Sequence, residues 1–137
     1  MVLNSPKGYW LFLASNFLIL KLIEDDEEVS TLTRKFLESV GLSVIHGCSS
    51  EDAMRAVSEH QDFTLLLCDV VLPGSDSGPA IAKLVADKVP DINVLFMSGY
   101  SHKEIQHYGV EDKNINLLQK PFRKVDMIKK LKEVIRS

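Results

Sequence analysis

Short apolar runs alternate with amphipathic segments along most of this 137-residue chain, and this alternation constrains the fold more than any other feature. The runs are apolar at nearly every position, as in strands that are buried on both faces of a parallel sheet. The five runs are residues 17–23, 42–45, 63–68, 92–97 and 115–118. A segment with helical periodicity follows each run. Five strand–helix units in a row predict an α/β fold, in which right-handed crossovers put helices on both faces of the sheet.

Local signals mark where the predicted helices begin and end. Gly41 follows the first helical segment at the position of a C-cap glycine. Ser49 and Asp52 have the spacing of a capping box, Pro79 suits the first turn of a helix, and residues 101–109 predict a short helix. The apolar positions at helical spacing include Val29, Leu32, Phe36, Leu37, Val40, Ile81, Leu84, Val85, Val125, Ile128, Leu131 and Ile135.

The composition fits one ordinary globular domain, with 45% hydrophobic and 26% charged residues. The formal net charge of −3 argues against direct nucleic-acid binding. The apolar stretch at residues 9–23 is interrupted by polar residues and too short to predict membrane insertion. The two cysteines, Cys48 and Cys68, do not form a zinc motif or a disulfide framework, and we expect reduced thiols in a cytoplasmic protein. Residues 1–16 precede the repeating pattern and are assigned to an N-terminal extension or linker.

Polar residues follow four of the five predicted strands. Glu24 and Asp25 come after the first strand, Asp69 after the third, Ser98 after the fourth and Lys120 after the fifth. Because the carboxyl ends of parallel strands lie along one edge of a sheet, these side chains are expected to meet at one rim.

The acidic block at residues 24–28 has two interpretations. A solvated charge run is the usual explanation for such a block, and residues 26–28 fit it because carboxylates stabilise a helix N-terminus. Glu24 and Asp25 directly follow an apolar strand, so we expect them at the rim with Asp69. Clustered carboxylates suit Mg²⁺ as a ligand set. An aspartate beside Mg²⁺ and a lysine is also suited to form an aspartyl phosphate.

Four separated motifs resemble the receiver domain of two-component response regulators, most closely the receivers attached to hybrid sensor histidine kinases. The resemblance covers residues 17–137, which we assign to one receiver domain. It implies a flavodoxin-like (βα)5 fold, a doubly wound five-stranded parallel sheet with strand order 2-1-3-4-5. The motifs are Ile23-Glu-Asp-Asp26, Cys68-Asp-Val-Val-Leu-Pro-Gly74, Met97-Ser-Gly-Tyr100 and Lys120-Pro-Phe122.

The resemblance also implies a role for each rim residue. Asp69 is the expected phosphoacceptor. Ser98 and Lys120 are expected to contact the phosphoryl group, and the Lys120–Pro121 bond is expected to be cis. The implied Mg²⁺ ligands are Glu24, Asp25, Asp69 and the backbone carbonyl of Val71.

Three positions depart from the family pattern. Glu24 stands where aspartate is common, which lengthens one metal ligand. The turn at residues 74–78 is one residue longer than usual, which is expected to reshape the loop but to leave the metal site intact. Leu117 occupies the position of the usual aromatic switch residue. We therefore expect the switch at Ser98 and Leu117 to work through the backbone and the fourth helix.

The resulting functional prediction is a regulatory phosphoacceptor domain and not an enzyme in its own right. A histidine kinase or histidine phosphotransfer domain is the expected donor, and a downstream protein is the expected kind of target. We expect no effector domain within the chain. A stand-alone regulator and a segment of a hybrid kinase both fit the sequence. The alternative function is an unphosphorylated pseudo-receiver that acts as a protein-binding module, which the full set of acids and lysine disfavours.

Overall fold

A parallel β-sheet with helices on both faces forms the centre of the molecule. The structure is a computed structural model, and it describes residues 18–22, 27–47, 49–60, 62–70, 77–99 and 116–136. Within these ranges the elements are β1 (Leu18–Leu22), α1 (Glu27–Ser39), β2 (Ser43–Gly47), α2 (Ser50–Glu59), β3 (Phe63–Asp69), α3 (Gly78–Lys88), β4 (Asn93–Ser98), β5 (Leu117–Gln119) and α4 (Lys124–Arg136).

The sheet has the order β2-β1-β3-β4-β5, and each neighbouring pair of strands is parallel. The predicted α/β class and strand order 2-1-3-4-5 are therefore confirmed. The helix predicted at residues 101–109 lies outside the described residues, as does the N-terminal assignment of residues 1–16. No described helix has the length and apolar character that crossing a membrane requires.

The strand β3 divides its side chains between the two faces of the sheet. Leu66 and Cys68 belong to one buried cluster, and Leu65 and Leu67 belong to the other, as the two-residue period of a strand requires. Buried residues of α2 and α3 complete the first cluster, and buried residues of α1 and α4 complete the second. The helices on both faces explain why β3 is continuously apolar from Leu65 to Cys68.

Several local predictions are confirmed at residue level. The α2 helix has Ser49 as its N-cap, and the side chain of Ser49 accepts a hydrogen bond from the amide of Asp52. Gly41 has a φ of 89°, the left-handed conformation that a helix C-cap favours in glycine. Pro79 lies in the first turn of α3. The α1 helix begins at Glu27, inside the acidic block.

Three of the apolar positions at helical spacing are exposed. Leu32, Leu84 and Val125 have exposed fractions of 51%, 43% and 56%. In α4 the buried stripe instead runs through Met127, Ile128, Leu131 and Val134. Helical spacing identifies candidate faces, but only the neighbouring elements decide which apolar residues they cover.

Candidate functional site

Three of the predicted site residues lie at the carboxyl edge of the sheet. Asp69 is the last residue of β3, Ser98 is the last residue of β4, and Lys120 immediately follows β5. The strand register pairs Asp69 with Met97, and it pairs Ser98 with Gln119. Ser98 thus lies one residue beyond the level of Asp69, and Lys120 one residue beyond the level of Ser98. The three residues meet at one edge of the sheet, although they are far apart in the sequence.

A buried ion pair forms the centre of this site. The Nζ atom of Lys120 is 2.7 Å from Oδ1 of Asp69, and their side chains are 25% and 3% exposed. A carboxylate removed from water needs a compensating charge at short range, which Lys120 supplies. Because Lys120 keeps part of its surface in solvent, the pair has one side that faces outward.

Backbone hydrogen bonds continue the sheet beyond the ends of the strands. The amide of Lys120 donates to the carbonyl of Ser98 at 2.7 Å, and the amide of Val70 donates to the carbonyl of Met97 at 2.9 Å. The peptide bond between Lys120 and Pro121 is cis, as predicted. These hydrogen bonds fix the backbone next to Asp69 and at Lys120, the residues that carry the charged side chains of the site.

The switch residues Ser98 and Leu117 are both buried, with exposed fractions of 5% and 4%. Leu117 opens β5, pairs with Phe96 of β4 and belongs to the same apolar cluster as Cys68. A branched aliphatic side chain in a packed cluster cannot rotate to the surface without leaving a cavity behind. The position therefore serves the core in this structure, and its role as a switch stays a prediction.

The remaining predicted metal ligands Glu24, Asp25 and Val71 lie outside the described residues. The last paired residue of β1, Leu22, lies beside Cys68, so β1 and β3 end at a similar level. The side chains of the described residues contain no cluster of three or more His, Cys, Asp or Glu that would hold a metal ion. Asp69 is thus the one predicted ligand whose position the structure gives, and the Mg²⁺ site stays a prediction.

Gly78 touches the site, although the sequence suggested only a turn at this position. A Cβ atom placed on Gly78 would overlap the carbonyl oxygen of Asp69 and would lie 2.9 Å from the carbonyl carbon. Its amide donates to the carbonyl of Val70 at 2.9 Å. One sequence signal could have indicated this contact. Gly78 is the first residue of a helix, although most other residues have a higher helix propensity than glycine.

Cys68 lies under the site with an exposed fraction of 0%. Burial, and then the neighbouring charge of Asp69, raise the pKa of the Cys68 thiol far above its usual range. The thiol is therefore protonated, and it is not paired in a disulfide. The expectation of reduced thiols stays a prediction, and Cys48 lies outside the described residues.

An apolar groove of about 310 Å³ opens beside Lys120. Leu32, Thr33 and Phe36 of α1 form one wall. Pro121 and Phe122 form the other wall together with Lys120. The exposed side chain of Leu32 therefore belongs to a surface next to the ion pair and not to the core.

Comparison with known proteins gives one consistent family. The sequence profile of the response regulator receiver domain matches residues 20–132. The receiver protein CpdR of Brucella abortus is 27% identical over 114 residues, which are 83% of this chain and 93% of that protein. The sensor kinase CckA of Brucella abortus is 28% identical over 115 residues, but these are only 12% of the kinase.

Solved structures give the same fold. A response regulator receiver protein from Sinorhizobium medicae matches with a TM-score of 0.76 at 18% sequence identity. The match covers 90% of this chain and 98% of that protein. At this level of identity the structural likeness supports the fold alone.

Proposed function

The chain belongs to the response regulator receiver domain family, and from this premise we propose that Asp69 accepts a phosphoryl group from a phosphohistidine partner in a Mg²⁺-dependent step. Receiver domains take part in two-component phosphorelay signalling as regulatory phosphoacceptors and not as classical enzymes. They interact with histidine kinases or phosphotransfer proteins. The finer assignment, to named residues of this chain, depends on the chemistry of the rim.

The observation that carries the proposal is the buried pair of Asp69 and Lys120, joined at 2.7 Å beside Ser98. A buried carboxylate with a lysine at one oxygen is held in a fixed orientation. An arriving phosphoryl group is anionic, and the charge of Lys120 offsets its repulsion by Asp69. A surface aspartate without such a partner lacks this compensation.

In the proposed step, a carboxylate oxygen of Asp69 forms a bond to phosphorus while the bond from phosphorus to the imidazole nitrogen breaks. The electron pair of the broken bond stays on that nitrogen. When the other ring nitrogen carries a proton, the imidazole leaves as a neutral group and no further proton needs to move. Lys120 holds the phosphoryl oxygens, and the hydroxyl of Ser98 is assigned a hydrogen bond to one of them.

Magnesium, when bound, supplies positive charge that draws the phosphoryl oxygens toward the acceptor. The residues assigned to hold it are Glu24, Asp25, Asp69 and the carbonyl of Val71. The buried carboxylate of Asp69 fits this role because oxygen ligands are the ones that Mg²⁺ prefers. The three other ligands follow the carboxyl ends of β1 and β3 in the sequence.

The output that we propose is a change of the surface around β4 and β5. Ser98 is drawn toward the phosphoryl group and moves the backbone of β4. Its carbonyl accepts the hydrogen bond from the amide of Lys120, so β5 follows. Leu117 contributes to this coupling by packing and not by an aromatic rotation.

Two settings fit the relatives, and we place both in the cytoplasm. The near-complete coverage of CpdR supports a stand-alone regulator. The similarity to a segment of the sensor kinase CckA supports a receiver within a hybrid sensor histidine kinase. In both settings, the apolar groove beside Lys120 is the proposed binding surface for the protein donor.

The test is phosphoryl uptake from acetyl phosphate, followed by the mass of the intact protein. With Mg²⁺ the protein is expected to gain one phosphoryl group, and chelation of the metal is expected to prevent this. Asp69→Asn is expected to gain none, whereas the exposed control Asp87→Asn behaves as the wild type. Absence of uptake by the wild type, or equal uptake by Asp69→Asn, would contradict the proposal and leave a protein-binding module as the function.

A further inference from the structure

The peptide unit that joins Asp69 to Val70 is held at both of its polar ends. On one side, the amide of Val70 donates to the carbonyl of Met97 in β4 at 2.9 Å. On the other side, the carbonyl oxygen of Asp69 lies 3.2 Å from Sγ of Cys68 and is packed against Gly78. Because both ends are held, the plane of this peptide is fixed, and with it the backbone angle ψ of Asp69.

Gly78 closes this arrangement from the start of α3. Its amide donates to the carbonyl of Val70, so the first residue of α3 is joined to the residue that follows β3. No side chain fits here, because a Cβ atom would overlap the carbonyl oxygen of Asp69 and would also lie 3.0 Å from Cα of Val70. A close backbone approach of this kind requires glycine even where φ is not positive.

Cys68 supports the same carbonyl from within the core. Its thiol is fully buried and donates toward the carbonyl of Asp69, with 3.2 Å between Sγ and the oxygen. The carbonyl of Gly78 lies 3.9 Å from the same sulfur atom. The sulfur thus lies between the two backbone segments that meet beneath Asp69.

We propose that Gly78 and Cys68 are positioning residues for phosphoryl acceptance, and that they act by holding the carbonyl of Asp69. We call these two residues the carbonyl clamp. The inference rests on the proposed function, since it assigns how the acceptor is aimed. Neither residue touches the phosphoryl group. A shift of the backbone at Asp69 moves its carboxylate away from Lys120, and displacements of about 1 Å are enough to slow a reaction about a hundredfold.

The carbonyl clamp also accounts for the longer turn that the sequence predicts after Asp69. The amide of Gly78 donates a hydrogen bond to the carbonyl of Val70, which joins the start of α3 directly to the residue after β3. Because of this direct bond, a change in the number of residues between the two elements is separated from the end of β3. The clamp thereby explains how an extra residue is compatible with an acceptor paired to Lys120 at 2.7 Å.

The first experiment compares Gly78→Ala with Gly99→Ala. Gly99 follows Ser98 at the same edge of the sheet, but a Cβ atom there would meet nothing within 4 Å. The rate constant of phosphoryl uptake from acetyl phosphate is measured at a temperature at which each variant is fully folded by circular dichroism. Gly78→Ala is expected to be slower by about tenfold or more, and Gly99→Ala to stay within about twofold of the wild type.

A spectroscopic measurement separates positioning from a general loss of structure. The ¹³C resonance of the Asp69 carboxylate is expected to move in Gly78→Ala and to stay in place in Gly99→Ala. A folded Gly78→Ala protein with the wild-type rate and the wild-type resonance overturns the inference. If the wild type takes up no phosphoryl group, the proposed function fails, and the resonance alone then decides whether the clamp holds Asp69.

A second pair of variants decides the matter if Gly78→Ala does not fold. Cys68→Ser keeps a donor of similar size, whereas Cys68→Ala removes it. Uptake is expected to slow several-fold in Cys68→Ala and to be largely restored in Cys68→Ser. Equal rates in the two variants, whether fast or slow, overturn the role of the thiol as a donor to Asp69.

Discussion

Two ion pairs involve basic residues that are only three positions apart, Lys120 and Arg123, and the pairs differ in almost every respect. Lys120 pairs with Asp69, 51 positions away in the sequence, at 2.7 Å and with the carboxylate side chain 3% exposed. Arg123 pairs with Asp126, three positions away, at 3.3 Å and with side chains that are 80% and 43% exposed. The first pair forms because the sheet brings the carboxyl ends of β3 and β5 to one edge, and the second forms locally at the start of α4.

The exposed pair of Arg123 and Asp126 is a local interaction at the start of α4. The carboxylate of Asp126 accepts hydrogen bonds from the backbone amide of Arg123 at 3.0 Å and from its guanidinium. The guanidinium hydrogen bond lowers the pKa of Asp126, and the same contact raises the pKa of Arg123. Exposed pairs of this kind add little to stability. The comparison teaches that proximity of opposite charges indicates function only where burial makes the arrangement costly.

The largest expected effect is on phosphoryl uptake when Lys120 is lost. Lys120→Ala is expected to slow uptake from acetyl phosphate about a hundredfold, because one fixed positive charge at the reacting group is removed. The matched control is Lys130→Ala, which removes a lysine from an exposed pair with Glu133 and is expected to have no effect. Rate constants from intact-protein mass spectrometry check this. Similar slowing in both variants would show that overall charge, and not the buried pair, governs uptake.

The next effect is on stability, measured by a double-mutant cycle of Asp69→Asn and Lys120→Ala in urea. The coupling is expected to be about 1–3 kcal/mol, at or below the usual range for buried pairs because Lys120 reaches solvent. Lys120→Ala is expected to destabilise the fold more than Asp69→Asn, because it removes the positive charge closest to a buried carboxylate. The same cycle on Arg123 and Asp126 is expected to give a much smaller coupling, because both side chains are exposed. A coupling as large as that of the buried pair would reverse the comparison.

High salt is expected to increase the difference in coupling between the two ion pairs. Raising NaCl from about 0.1 M to about 1 M shortens the screening length from about 10 Å to about 3 Å. Any contribution from Arg123 and Asp126 is expected to vanish, whereas the pair of Lys120 and Asp69 keeps most of its coupling because water and ions reach it poorly. Repeating both double-mutant cycles at high salt tests this, and an equal loss of coupling would mean that the site is more open than the structure indicates.

The smallest expected effect is on the pH dependence of the free energy of unfolding. The pKa of Asp126 is lowered in the folded protein, so this group stabilises the fold above its unfolded pKa of about 3.9. That stability is lost as the pH falls through the lower folded value. Asp126→Asn is therefore expected to be slightly less stable than the wild type near pH 6, with a difference that disappears in acid.

The control for this pH dependence is Arg123→Gln, which removes the guanidinium but keeps the backbone hydrogen bond to Asp126. Thermal unfolding between about pH 2 and pH 6 is expected to show a weaker pH dependence in this variant than in the wild type. An identical pH dependence would assign the whole shift to the backbone amide.

The sequence was sufficient wherever local chemistry decides the structure. The strand that ends at Asp69, the cap at Ser49 and the left-handed Gly41 all follow from residue type and spacing, and the structure confirms them. The meeting of Asp69, Ser98 and Lys120 also followed from the sequence, because parallel strands expose their carboxyl ends along one edge. The roles assigned to these three residues stay predictions.

The sequence was not sufficient where contacts between distant elements decide. Leu32 and Val125 have the spacing of core residues, but no described element covers them. The contact of Gly78 with Asp69 crosses a loop, and no local pattern announces how closely two backbones approach. The metal ligands Glu24, Asp25 and Val71 lie outside the described residues and keep the status that the sequence gave them.

The amide proton of Lys120 donates to the carbonyl of Ser98, so its exchange rate reports on the structure of the site. Its exchange with deuterium requires that the bond between the ends of β4 and β5 opens. The residue after it is Pro121, which has no amide proton, so backbone exchange at residues 120–121 comes from Lys120 alone. Exchange at a single backbone position therefore follows the separation of these strand ends without any label attached to the protein.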